Sequence, residues 1–78
     1  MTQIILNGEA VETEADSVLA LVAERTGTPL AADGRPADGS RLGVAVAVDE
    51  TIVPRGRWAQ TVLTPQARIE LVTAKQGG

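Results

Sequence analysis

A chain of 78 residues, 44% apolar and 22% charged, has the composition of one small globular domain with room for a single core. It contains no cysteine and no histidine, which excludes disulfides, thiol nucleophiles, imidazole triads and the usual zinc sites, so no metal is expected. A net charge of −3, with Glu9, Glu12, Glu14 and Asp16 close together, disfavours nucleic acid; no apolar run spans a bilayer and no secretion signal opens the chain, so a cytoplasmic protein without a membrane partner is expected.

The opening QIILNGEAVET carries two stretches of β-formers around Asn7-Gly8, a pair that tolerates positive φ and marks a tight hairpin. Strands are predicted near residues 3–7 and 10–14. Ile4 and Leu6 share one face of the first, Gln3 and Ile5 the other. On the second, Glu12 and Glu14 point away from Val11 and Thr13, as suits a sheet edge in water. The period then changes. Asp16 or Ser17 caps a helix whose Val18, Leu21 and Val22 recur at i, i+3 and i+4, with Leu19 on the flank, and Gly27 before Pro29 ends it after roughly ten residues. So short a helix needs a sheet to lie on.

Residues 28–42, TPLAADGRPADGSRL, hold two Asp-Gly pairs and two prolines and read as a long unstructured loop, either a mobile functional segment or an insertion. Val44 to Val48 is apolar on both faces, which predicts a strand covered on both sides. Asp49-Glu50 turns the chain into Thr51-Ile52-Val53, closed by Pro54, and Arg55 to Trp58 reads as a turn or one helical turn. After a turn at Thr64-Pro65-Gln66, Ile69 to Ala74 is a last strand with Ile69, Leu71 and Thr73 on one face. The order β, β, α, β, β, β predicts an α+β domain: a mixed sheet of four or five strands with one main helix on one face, and the last strand central and parallel to the first.

The chain ends on Lys75-Gln76-Gly77-Gly78. Glycine loses the most backbone freedom on folding, so a terminal pair does not brace a fold, and its use is expected in the chain end itself. Residues 1–74 are therefore expected to form the domain and 75–78 a flexible tail.

With LNGEAVE, SVLALVAERTG, VAVAVDETIVPRGRWA and RIELVTAKQGG in this order, the chain resembles the ThiS family, the sulfur carriers of thiazole formation in thiamin biosynthesis, which have a β-grasp, ubiquitin-like fold. The resemblance covers nearly the whole chain and departs from the family around residues 31–42, where members use less chain, and at Asp49, often Asn in such proteins. It implies a carrier, not an enzyme. The Gly78 carboxylate would be adenylated by a ubiquitin-activating-type enzyme, then converted to a thiocarboxylate and presented to thiazole synthase. No cofactor would be bound; ATP and a sulfur donor would be used by the activating partner. Carriers for molybdopterin or cysteine synthesis share such a tail, as do ubiquitin-like protein modifiers.

Side chains at the last two positions would crowd a narrow channel, so Gly77 and Gly78 leave the reacting carbon open to attack while Lys75 and Gln76 supply hydrogen bonds along it. Ile5, Val46 and Val72 are candidates for a partner surface, depending on which sheet face the helix leaves bare. Trp58 is a further candidate, against packing over a sheet end with its N–H bonded nearby. Arg55 is another, able to steer an acidic partner or AMP, against a solvated turn charge.

Overall fold

The computed structural model describes residues 1–40 and 42–73. Strands β1 (Thr2–Leu6) and β2 (Glu9–Thr13) pair antiparallel, with Ile4 opposite Val11 and Leu6 opposite Glu9. Each begins one residue before the expected position. Asn7 (φ 51°) and Gly8 (φ 83°) both take left-handed conformations and form the two-residue turn by themselves, which leaves neither to the strands.

Helix α1 (Val18–Thr26) starts where the Ser17 side chain accepts the Ala20 N–H at 3.2 Å and ends at Gly27, whose φ is 68°. Its buried side chains are Val18, Leu21 and Val22. Each contributes about 1.5–3 kcal/mol by leaving water, which is what holds a nine-residue helix in place. Strands β3 (Val44–Val48), β4 (Thr51–Val53) and β5 (Arg68–Thr73) complete a five-stranded sheet in the order β2-β1-β5-β3-β4. A 3₁₀ helix, Arg55–Gln60, lies between β4 and β5. The last strand is central, parallel to β1 and antiparallel to β3, as expected for the β-grasp arrangement. Ile4, Leu6, Val46 and Ile69 face the helix and form the core with Val18, Leu21, Val22, Trp58 and Leu63.

Two expectations are corrected here. Strand β3 is covered on one face only: Val46 is 2% exposed, while Ala45 on the opposite face is open to solvent. Its apolar character on both sides reflects small alanines on the bare face and valines on the packed one. The segment from 28 to 42 is also not an unstructured loop. Leu30 and Pro36 form a bridge, the Ala31 N–H donates to the Arg35 carbonyl at 2.7 Å, and the Ala37 N–H donates to the Pro29 carbonyl at 2.9 Å. Both Asp-Gly pairs are turns in which an aspartate accepts the N–H two residues on, Asp33 from Arg35 and Asp38 from Ser40.

Gly34 anchors this segment. It is buried at φ 85°, and a Cβ there would run into the Arg55 side chain and sit 2.8 Å from the Arg55 carbonyl oxygen. Left-handed backbone and overpacking together make Gly34→Ala cost about 2–4 kcal/mol, to be read from urea unfolding midpoints against wild type. An unchanged midpoint would mean that the loop is not seated as described.

Candidate functional site

The last described residue before the Gly-Gly end is Thr73, which closes β5, the sheet's middle strand. Two devices fix it. On one side β3 pairs with β5 from Val48 opposite Ile69 to Val44 opposite Thr73. On the other side β1 runs out after Leu6, opposite Ile69, and the Asn7 side chain takes over the ladder. Its Oδ1 accepts the Leu71 N–H at 2.9 Å and its Nδ2–H donates to the Leu71 carbonyl at 3.2 Å. One residue thus serves the hairpin by its backbone and the tail strand by its amide. Sequence reading found the first role and missed the second, because nothing local links residue 7 to residue 71.

The face of the sheet away from the helix is bare. Ile52 on β4 is 77% exposed and Val72 on β5 is 62% exposed, and with Ala47 opposite Ile52 and Ala45 opposite Val72 they form an apolar strip across three strands. Glu70 lies beside them, and farther along the same face Arg68 is opposite the half-buried Ile5. Of the expected partner-surface residues, Val72 and Ile5 are on this face. Val46 is not: its odd-even position turns it to the helix and buries it.

Trp58 is likewise removed from the candidate surface. It is 1% exposed, with its indole N–H donating to the Val53 carbonyl at 3.1 Å. Arg55 is neither a steering charge nor a solvated one. Its guanidinium lies 5.1 Å from the Trp58 ring centre, donates to the Gly34 carbonyl at 3.3 Å and also to the Leu42 carbonyl, clamping both limbs of the 28–42 segment to the 3₁₀ helix. Within that segment the Ser40 hydroxyl, then the Ser40 N–H, hold the Asp38 carboxyl below the usual aspartate range. Its contribution to loop order is therefore complete above the ordinary aspartate pKa and is lost as pH falls through the lowered value.

Lys75, Gln76, Gly77 and Gly78 lie outside the described residues. Among the described residues no group of three or more His, Cys, Asp or Glu side chains could hold a metal ion, and no helix is long and apolar enough to cross a membrane.

A family model described as the ThiS family matches residues 4–78, from the first buried isoleucine of β1 through the Gly-Gly end. The chain belongs to the ThiS family. No curated protein matches it. ThiS proteins are small β-grasp sulfur carriers, not catalysts, and they work with adenylating and sulfur-transfer partners. The mixed five-stranded sheet with one helix described above agrees with that fold.

Proposed function

We propose that this ThiS-family chain carries sulfur for thiazole formation in thiamin biosynthesis, in the cytoplasm, with the Gly78 carboxylate as the loading point. The observation that carries this reading is a family match that runs through Gly78 on a chain whose last strand is held centrally to Thr73.

A carboxylate is a poor acyl donor. Its oxygen attacks the α-phosphorus of ATP on a ubiquitin-activating-type enzyme, pyrophosphate leaves, and an acyl adenylate forms. A sulfur donor at the sulfide level then attacks the carbonyl carbon and expels AMP. The product is a terminal thiocarboxylate whose sulfur is the nucleophile delivered to thiazole synthase. ATP and the donor belong to the partner's reaction, and this chain is its substrate. Lys75 is the single lysine of the 78 residues, so the folded domain offers no lysine amine to intercept its own activated end or to accept a second copy of the chain.

Incubation with the adenylating enzyme, ATP and sulfide, followed by intact mass measurement, should show one oxygen replaced by sulfur. An unchanged mass beside a working positive control defeats the proposal. Thiazole synthase accepting that product separates the thiamin carrier from carriers for molybdopterin or cysteine synthesis. A ladder of lysine conjugates in a denaturing pull-down would identify a protein modifier instead.

Val72 is exposed one residue before Thr73, where β5 ends, and that position supports the bare strip as the docking face of the adenylating enzyme. Val72→Asp, on an exposed position, should leave the melting temperature within a few degrees of wild type and raise the carrier's KM in pyrophosphate exchange on the order of tenfold. An unaltered KM would remove the strip from the interface.

A further inference from the structure

Beyond Ile69 the two sides of β5 are held by different means. On the β3 side the backbone ladder continues through Leu71, Val72 and Thr73. On the β1 side the chain has already turned: the Asn7 N–H donates to the Ile69 carbonyl at 2.8 Å, and Gly8 at φ 83° leads away into β2. Leu71 points its backbone N–H and carbonyl to that same side, as alternation along a strand requires. Both are taken by the Asn7 side chain, whose Oδ1 accepts at 2.9 Å and whose Nδ2–H donates at 3.2 Å. A primary amide carries an acceptor and a donor side by side, as a peptide unit does, so Asn7 stands in for the strand residue that β1 lacks.

Among the described residues this clip is the last hold on the β1 side, and it sits two residues before Thr73. Gly78 lies five residues beyond Thr73, which keeps the terminal carbon within about 18 Å of the strand's end. The direction in which β5 ends therefore limits where the carboxylate is offered, and a change of direction at Thr73 is multiplied along that span. Without Asn7, residues 71–73 would keep the β3 ladder alone, and an enzyme taking up the chain end would have to restore their order on binding. Asn7 is itself exposed, so water replaces its bonds when they are lost and global stability changes little. A clip of this kind is placed to align a strand end more than to hold the fold together.

We infer that Asn7 is a positioning residue for adenylation of the carrier: its amide holds Leu71, and through it the end of β5, in the alignment from which the adenylating enzyme takes up Gly78. This rests on the sulfur-carrier reading. The hairpin role of Asn7 is separable, because glycine readily adopts the left-handed φ of 51° found there. Asn7→Gly thus deletes the clip and leaves the turn.

Hydrogen exchange on labelled full-length carriers reads the clip itself: the Leu71 N–H should exchange on the order of tenfold faster in Asn7→Gly than in wild type. Pyrophosphate exchange by the adenylating enzyme from the same organism then reads the function, at a temperature where melts show every carrier fully folded. Asn7→Gly should raise the carrier's KM on the order of tenfold, with kcat within about threefold of wild type. Asn7→Asp keeps the acceptor for the Leu71 N–H and loses the donor, so its KM should lie between those of wild type and Asn7→Gly. Trp58→Phe, whose lost hydrogen bond goes to Val53, loosens the core elsewhere and should keep a wild-type KM. An unaltered Leu71 N–H in Asn7→Gly would remove the clip. If Asn7→Gly keeps a wild-type KM, or Trp58→Phe raises it equally, the positioning role is overturned while the carrier reading stands. If wild-type carrier supports no exchange, the carrier reading fails and the positioning role with it.

Discussion

Adding one alanine after Gly78 should abolish thiocarboxylate formation while leaving the folded domain untouched. The reacting carbon would move by the length of one residue, about 3.3–3.6 Å, whereas a misplacement of about 1 Å already costs on the order of 100-fold in a positioned reaction. The new terminal carbon would also carry a methyl group beside the line of attack. Carrier-dependent pyrophosphate exchange should therefore fall by on the order of 100-fold or more, with no oxygen-to-sulfur mass change after incubation with ATP and sulfide. The melting temperature should match wild type, because the addition lies beyond the last strand. Normal loading of the extended chain would mean that the terminal carbonyl is not the reactive atom, and no other feature of the site would then need Gly77 and Gly78.

The largest effect on stability is expected at Trp58. Truncation to alanine removes the biggest fully buried side chain, leaves the Val53 carbonyl without its indole donor, and takes away the surface on which the Arg55 guanidinium rests. A loss of about 3–5 kcal/mol follows from burial alone. Domains of this size hold roughly 4–12 kcal/mol in all, so the variant should melt on the order of 15–30 °C lower. Trp58→Phe keeps most of the ring volume and loses the N–H donor, and should cost about half as much or less. The two together separate packing from hydrogen bonding. Equal losses would assign the whole effect to the N–H bond; a negligible loss for the alanine variant would contradict the burial of the ring.

How much of this was legible in the residues follows from the range of each signal. The hairpin, the capped helix, the turn at Asp49-Glu50 and the order of strands all rest on patterns within a few positions, and these appear in the structure with boundaries shifted by about a residue. The central, parallel place of β5 was also reached, since burying an apolar last strand leaves few alternatives. What escaped depends on contacts across the chain. Whether Val46 or Val72 meets solvent is a matter of odd and even positions against a helix whose side of the sheet no local pattern declares. Arg55 looked like a surface charge because its partners, Gly34, Leu42 and Trp58, are carbonyls and a ring, and backbone acceptors leave no mark in composition. For the same reason the 28–42 segment looked shapeless: two Asp-Gly turns and a clamp 21 residues away from Gly34 order it without any periodic apolar stripe.

The position of β5 has a mechanical consequence. Tension applied through Thr73 along the strand axis would load the β3 ladder, the β1 ladder and the two Asn7 bonds together, in shear, instead of peeling them apart one at a time. Bonds loaded in parallel share the force, so a pull on this end meets more resistance than a pull that would unzip the same strand from one edge.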